Sequence, residues 1–313
     1  VKRAKRSALG LVGFGVVGLV VWHLLRTSPS VANLERGQLE HGGRRRTFLF
    51  AKPDGAGPFP LVIALHGRMS TATEMAALTR FDERARAHQF IAVFPEGVER
   101  SWADGRGATP ASHANVDDVA FLSSLIDELV KRQLADASRV YVVGMSNGGF
   151  MALGAACFLS KKVAAVGSVT GFLATTWAKS CAPERTVPVY LIASDADRVV
   201  PFAGGTLSGD RGETLGALET TRFFAERASC AQPAQEHVLT DRALEDGTRV
   251  TRFTFSPCVH GAVIQLDVVA QGGHTWPGGR TTAPESAVGR TSRDVDASEE
   301  LWRFFSQFSR DAD

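Results

Sequence analysis

Arg139-Val140-Tyr141-Val142-Val143-Gly144-Met145-Ser146-Asn147-Gly148-Gly149-Phe150-Met151-Ala152-Leu153 decides the fold. Val140-Tyr141-Val142-Val143 form a continuous apolar run, the pattern of a strand buried on both faces of a parallel sheet. From Gly148 to Phe158 the chain turns to Ala, Met and Leu and reads as a helix. Gly144-Met145-Ser146-Asn147-Gly148 joins the two and fits G-x-S-x-G. A serine on so sharp a strand-to-helix turn is lifted above the sheet edge, and the flanking glycines let the backbone cross closely.

Working outward, further apolar runs predict strands at Arg46–Ala51, Pro60–His66, Phe90–Phe94, Val163–Val169, Val187–Ser194, Thr248–Phe255 and Val263–Val269. Helical patterns alternate with them. Asn115-Val116-Asp117-Asp118 opens one, with Asn115 as its expected cap and acidic residues suited to the first turn. Val119, Leu122, Ile126 and Leu129 give that helix an apolar face. A terminal helix is expected over Ala297–Phe308, with Leu301, Phe304, Phe305 and Phe308 inward. Glu96–Ala114 and Ala203–Gly216 read as long surface loops. Strands alternating with helices predict one α/β domain, residues 35–313, with a mostly parallel central sheet covered on both faces.

A serine hydroxyl needs a base to take its proton and a third group to orient that base. On strand–turn–helix serine sites the chain order is Ser, acid, His. The expected acid follows the strand ending at Ser194, where Asp195 and Asp197 both qualify. Of eight histidines, His274 and His260 lie late enough. His260 falls in an expected hairpin turn beside Cys258, whereas glycines flank His274 in Gln271-Gly272-Gly273-His274-Thr275-Trp276 and free its loop to approach the serine. An oxyanion needs two aimed amides. Asn147, just after the serine, supplies one expected N–H, and Arg68, on the loop after Pro60–His66, the other; His66 itself is expected to be structural. Trp102 and Trp276 are expected to line the cleft.

The 44% hydrophobic and 22% charged residues exclude disorder, collagen-like repeats and coiled coil. The formal charge of +2 comes from the first residues. Lys2, Arg3, Lys5, Arg6 and Arg26 face no acidic residue before Glu35, and without them the remainder is slightly acidic. No nucleic-acid partner is expected. Lys2–Arg6 precedes an apolar run from Ala8 to Leu25, the layout of an export signal. Residues 1–32 read as a signal peptide, with Ser30-Val31-Ala32 as a cleavage site, or as an uncleaved anchor that is the only expected membrane contact. Either way the domain lies outside the cytoplasm, secreted or periplasmic. The four cysteines fit an oxidising compartment, and sequence order favours Cys157–Cys181 and Cys230–Cys258. No Cys/His cluster suggests a metal, and no cofactor is expected.

Leu65-His66-Gly67, Phe94-Pro95-Glu96-Gly97, Ser101-Trp102, Asn115-Val116-Asp117-Asp118-Val119, Gly144–Gly149, Gly272-Gly273-His274-Thr275-Trp276-Pro277-Gly278 and Gly289–Ala297 occur in this order. From about residue 45 onward the chain thereby resembles the polyhydroxybutyrate depolymerase/feruloyl esterase family of secreted α/β-hydrolases. The resemblance implies Ser146 as nucleophile, His274 as base and Asp197, in its D-x-V-V-P segment, as acid; it also supports the two disulfides. It implies a serine esterase acting through an acyl-enzyme on small or oligomeric esters, such as hydroxyalkanoate oligomers or feruloyl and acetyl esters. The alternatives are acyl transfer on the same triad, or an inactive exported binding protein. Arg68 departs from the pattern, since many relatives carry Cys there, and Ala193-Ser194 stands where they often show His-Gly. The short stretch after His274 leaves no room for a polymer-binding module, so soluble esters are expected over crystalline polymer.

Overall fold

The continuous apolar runs assemble into a ten-stranded sheet. In the computed structural model, which describes residues 34–280 and 283–310, the strands are β1 (Glu35–His41), β2 (Arg44–Ala51), β3 (Phe59–Leu65), β4 (Ile91–Pro95), β5 (Ala135–Met145), β6 (Ala165–Val169), β7 (Val189–Ser194), β8 (Gly205–Thr206), β9 (Glu213–Thr214), β10 (Gln235–Val238), β11 (Arg249–Phe255) and β12 (Ile264–Ala270). The sheet order is β1-β2-β4-β3-β5-β6-β7-β12-β11-β10, and β8 pairs with β9 separately. From β4 to β12 all neighbours are parallel, while antiparallel pairs close each flank. Asn33–Asp313 forms one compact unit. The expected leader lies outside the described residues, among which no helix is long and apolar enough to cross a membrane.

The eight anticipated strands are all present, with shifted ends. β1 and β10 were not anticipated: their exposed, polar residues carry no apolar signal, and ladder hydrogen bonds to β2 and β11 define them. The Ala203–Gly216 loop likewise contains the short β8–β9 pair.

Parallel strands buried on both faces need helices on both. Asp118–Lys131, Asn147–Phe158 and Ala217–Arg227 cover one side, with Phe121, Met151 and Phe224 in its core. Ala72–Thr79, Phe81–His88 and Ala297–Phe305 cover the other, with Met75, Phe81 and Leu301. The helix Asp118–Lys131 starts later than anticipated. Asp117, not Asn115, caps it by accepting the Ala120 N–H, and Asn115 has φ 50° in the preceding turn. Its inward face also takes in Phe121 and Leu125, leaving Val119 at the margin. The terminal helix ends at Phe305, before Phe308. Disulfides join Cys157 to Cys181 and Cys230 to Cys258.

The site is positioned where β5 turns into the helix Asn147–Phe158 and passes over the end of β3. A Cβ on Gly148 would lie 2.2 Å from the Leu65 carbonyl oxygen and 2.6 Å from that of His66. One on Gly144 would lie 2.2 Å from the Gly148 backbone. Backbone offers no flexible end that could yield, so the crossing requires glycine. Gly148→Ala should destabilise the domain by about 3 kcal/mol or prevent its folding, measured by urea unfolding of the purified variant.

Candidate active site

Ser146 closes the turn at φ 54° and ψ −122°, a conformation that a non-glycine residue holds only under structural constraint. Its N–H donates to the Val169 carbonyl, and its own carbonyl accepts the Phe150 N–H, so both backbone groups are fixed. Although Ser146 occupies the helix N-cap, its hydroxyl makes no capping hydrogen bond. The side chain borders a cleft of about 320 Å³ together with His274.

Asp197 follows β7. Its Oδ1 accepts the Val199 and Val200 N–H groups at 2.7 and 2.9 Å, and its Oδ2 lies 2.7 Å from His274 Nδ1. Both side chains are largely shielded from solvent. The other acidic candidate, Asp195, accepts the Gln271 N–H and so ties down the histidine loop from its far end. His260 sits in the turn Val259–Gly261 and borders a different depression, with Arg227.

The Gly289–Ala297 segment braces the histidine loop. Gly273 N–H donates to the Arg290 carbonyl, and Gly278 N–H to that of Ser292. Ser292 Oγ accepts from the Thr248 hydroxyl, while Asp294 accepts the N–H groups of Arg242 and Ala243. The two sequence segments around His274 and Asp294 therefore form one support.

On the Ser146 side, Asn147 is buried and its side chain spans the turn. Its Oδ1 accepts the Trp102 N–H, and its Nδ2 donates to the Trp102 carbonyl and to Asp104 Oδ2. Asp104 is fully buried and paired with Arg106 at 2.9 Å, whose guanidinium lies over the Phe150 ring. This clamp was not anticipated from the sequence, because Asp104 and Arg106 lie in a glycine-rich stretch that reads as solvated loop. Asp118 makes a second tether: it accepts the Ala103 N–H and pairs with buried Arg46 at 2.7 Å.

Trp102 does not line the cleft. It is 0% exposed, donates its indole N–H to the His66 carbonyl, and packs against the His66 ring. Trp276 borders the cleft but is 1% exposed, because its ring stands edge-on to Phe81 and its N–H donates to Ser298. Both indoles are struts beneath the site; their large apolar area is spent in the core.

The loop after β3 presents three amides at Arg68–Ser70. Met69 N–H donates to the Arg100 carbonyl and Ser70 N–H to that of Gly67, which leaves the Arg68 N–H. His66 holds this loop: its Nε2 accepts the Gly97 N–H, so Nδ1 carries the proton and donates to the Gly67 carbonyl. Burial lowers the His66 pKa from 6.5 to about 4, with the hydrogen bond to the Gly67 carbonyl acting in the opposite direction.

The family model described as Esterase PHB depolymerase matches residues 48–199. A candidate esterase, NocK, of Nocardia uniformis subsp. tsuyamanensis is 30% identical over 270 residues, covering 82% of this chain and 78% of that protein. A bifunctional acetylxylan esterase/xylanase, XynS20E, of Neocallimastix patriciarum is 25% identical over 272 residues, covering 87% of this chain but only 34% of its own length. Among solved structures, an acetyl xylan esterase from Aspergillus awamori superposes with a TM-score of 0.61 at 13% identity, over 87% of this chain and 99% of that one. The shared fold is that of the α/β-hydrolases.

Since the fold keeps His66 neutral, the unfolded chain takes up a proton near pH 6.5 that the native state refuses until about pH 4. Stability from this group therefore falls as pH drops through that window, by about 3 kcal/mol. Urea unfolding at pH 6.5 and 4.5 should show a steeper acid loss for the wild type than for His66→Gln.

Proposed function

As a member of the polyhydroxybutyrate depolymerase/feruloyl esterase family, this chain is a carboxylic ester hydrolase, and we propose that it works through Ser146, His274 and Asp197 by way of an acyl-enzyme. The observation that carries this reading is the 2.7 Å pair of Asp197 Oδ2 and His274 Nδ1 in the cleft that Ser146 borders. Asp197 fixes the imidazole with its proton on Nδ1, which leaves Nε2 as the basic nitrogen. Nε2 takes the proton of the Ser146 hydroxyl as Oγ attacks the ester carbonyl. The imidazolium then returns that proton to the leaving alcohol, and the acyl group stays on Ser146. Water, deprotonated by the same nitrogen, releases the acid and regenerates the serine.

Two amides are proposed to hold the tetrahedral oxyanion. Asn147 N–H stands at the first position of the helix Asn147–Phe158, where no intrahelical acceptor is available to it. Arg68 N–H is the second, left over where Met69 and Ser70 have partners. Donors fixed in this way do not reorganise during reaction, and one oxyanion contact is worth about 3 kcal/mol of barrier. The clamp of Asn147 on Trp102 and the His66 tether on Gly67 hold the two donors from either side.

The substrates are proposed to be soluble or oligomeric esters, with acetyl, feruloyl or hydroxyalkanoate acyl groups. The names of the relatives support the first class: acetylxylan esterases are among them. Two disulfides with no free cysteine among the described residues support a domain that works outside the cytoplasm. Residues 1–32 are proposed to be its export segment, and residues 35–313 the catalytic domain.

Ser146→Ala and His274→Ala should each lower kcat for p-nitrophenyl acetate by roughly 10⁶-fold. Asp197→Asn should lower it by about 10⁴-fold, through loss of the correct tautomer. Turnover assays combined with fluorophosphonate labelling check this, and more than a few per cent residual activity in either of the first two variants would refute the assignment.

A further inference from the structure

The cleft walls divide by chemistry. The apolar part of the lining is Met75, Leu78, Met145 and Val288, which border the same space as Ser146. Three of the chain's four methionines (Met69, Met75 and Met145) belong to this wall, and their unbranched side chains adapt to the shape of a flexible apolar group. At the rim stand two cations, Arg68 on the loop after β3 and Arg280 beyond the histidine loop. Both are exposed, and neither guanidinium has a hydrogen bond or ion pair among the described residues. Most arginines among the described residues are engaged, as at Arg46–Asp118, Arg106–Asp104 and Arg252–Asp267, and of those without a partner these two border the cleft that Ser146 borders.

The acidic groups near these two cations do not neutralise them locally. Glu74, the one carboxylate among the described residues that borders the cleft, is taken by the hydroxyls of Ser70 and Thr71 and by Arg100 at 3.6 Å. Glu83, whose carboxylate feels the charge of Arg280, is already bonded to Arg80. Two guanidiniums with free donors therefore face a cleft that holds a nucleophilic serine and an apolar wall. A planar guanidinium matches a carboxylate with paired donors, and such charge-assisted bonds are about twice as strong as neutral ones.

We propose that Arg68 and Arg280 form an anion-recognising rim, and that the preferred substrate is an ester carrying a free carboxylate on its acyl or alcohol part. The proposal rests on the serine-esterase reading of the same cleft. An apolar segment of the substrate lies along the methionine wall, its ester carbonyl at Ser146, and its carboxylate exchanges water for the two guanidiniums. The specificity comes from side chains, whereas Arg68 serves the oxyanion through its backbone N–H; one residue thus contributes to both chemistry and selection.

The test compares kcat/KM for two matched pairs of esters. On the acyl side, the mono-p-nitrophenyl ester of adipic acid is set against p-nitrophenyl 6-methylheptanoate, its neutral isostere. On the alcohol side, m-carboxyphenyl hexanoate is set against m-acetylphenyl hexanoate. The wild type should prefer the charged member of at least one pair by on the order of tenfold at low salt, and the preference should shrink as ionic strength rises. Arg280→Gln should lower the ratio, and Arg68→Gln/Arg280→Gln should bring it close to one. Using a ratio cancels any loss common to both esters, including a disturbance of the Arg68 backbone. A ratio near one in both pairs for the wild type, or a preference that survives the double substitution, overturns the rim assignment while leaving the esterase reading intact. Failure to hydrolyse any of the four esters, with Ser146 unlabelled by fluorophosphonate, overturns the esterase reading and the rim with it.

Discussion

The close backbone approach where the turn after β5 passes over the end of β3 is the constraint on which the rest depends. Leu65 and His66 carbonyls occupy the space that any Gly148 side chain would need. Once the chain passes at that separation, three outcomes follow together. Ser146 is forced to φ 54° with its hydroxyl free of capping duty. The helix Asn147–Phe158 begins beside the loop that carries Gly67 and Arg68. That helix then runs through the interior, buried on almost every side, which requires the small and apolar residues seen from Gly148 to Cys157. The proposed nucleophile, the proposed oxyanion donors and the core are therefore coupled through one steric condition.

Loops would not hold catalytic geometry by apolar packing alone, since their backbone groups need partners wherever they are buried. Here the partners are buried polar side chains. Asn147 satisfies both backbone groups of Trp102, Asp118 takes Ala103 N–H, His66 serves Gly67 and Gly97, and Asp197 takes two amides while orienting His274. Each is costly if left half-made, because a desolvated carboxylate or amide without its partner is strongly unfavourable. Burial raises the Asp118 pKa, against which Arg46 and the Ala103 N–H act. Such groups add little net stability when complete. Their effect is to make the correct loop conformation far better than its competitors.

The physical origin of each signal explains what was legible in the sequence. β3, β5 and β7 are buried on both faces, so their apolar runs are continuous and stand out. β1 and β10 are edge strands defined by ladder hydrogen bonds, which any residue can make, and Glu35–His41 reads as polar loop. The serine turn was legible because sterics restrict it to glycine at fixed offsets. Asp197 and Asp195 could not be separated by chemistry alone, because both follow the same strand and both end up in hydrogen bonds that support His274's loop. Trp102 was misread for a related reason: its size and its proximity to Ser101 are visible in a sequence, but the side of the loop on which an indole lies is not, while Trp276 does border the cleft although it is almost wholly buried. Ser298 and the His66 carbonyl draw both N–H groups inward.

That inward turn of the tryptophans has a consequence for how the molecule divides its labour. With Trp102 in the core and Trp276 almost wholly buried at the cleft's edge, the rest of the cleft is bounded by residues of a different kind: methionines, a leucine, a valine and charged side chains on two loops. Of the proposed catalytic groups, His274 and Asp197 are shielded from solvent and hydrogen-bonded to each other, so substitution there disturbs the fold as well as the proposed reaction. Arg68, Met69 and Arg280 are exposed and have few obligations to the fold; Met69 and Arg68 are free to change without unmaking a hydrogen bond of their side chains. A hydrolase built this way retains its reaction while its choice of ester is set by a small number of solvent-facing residues. Selectivity in this fold is therefore carried where it costs the least stability.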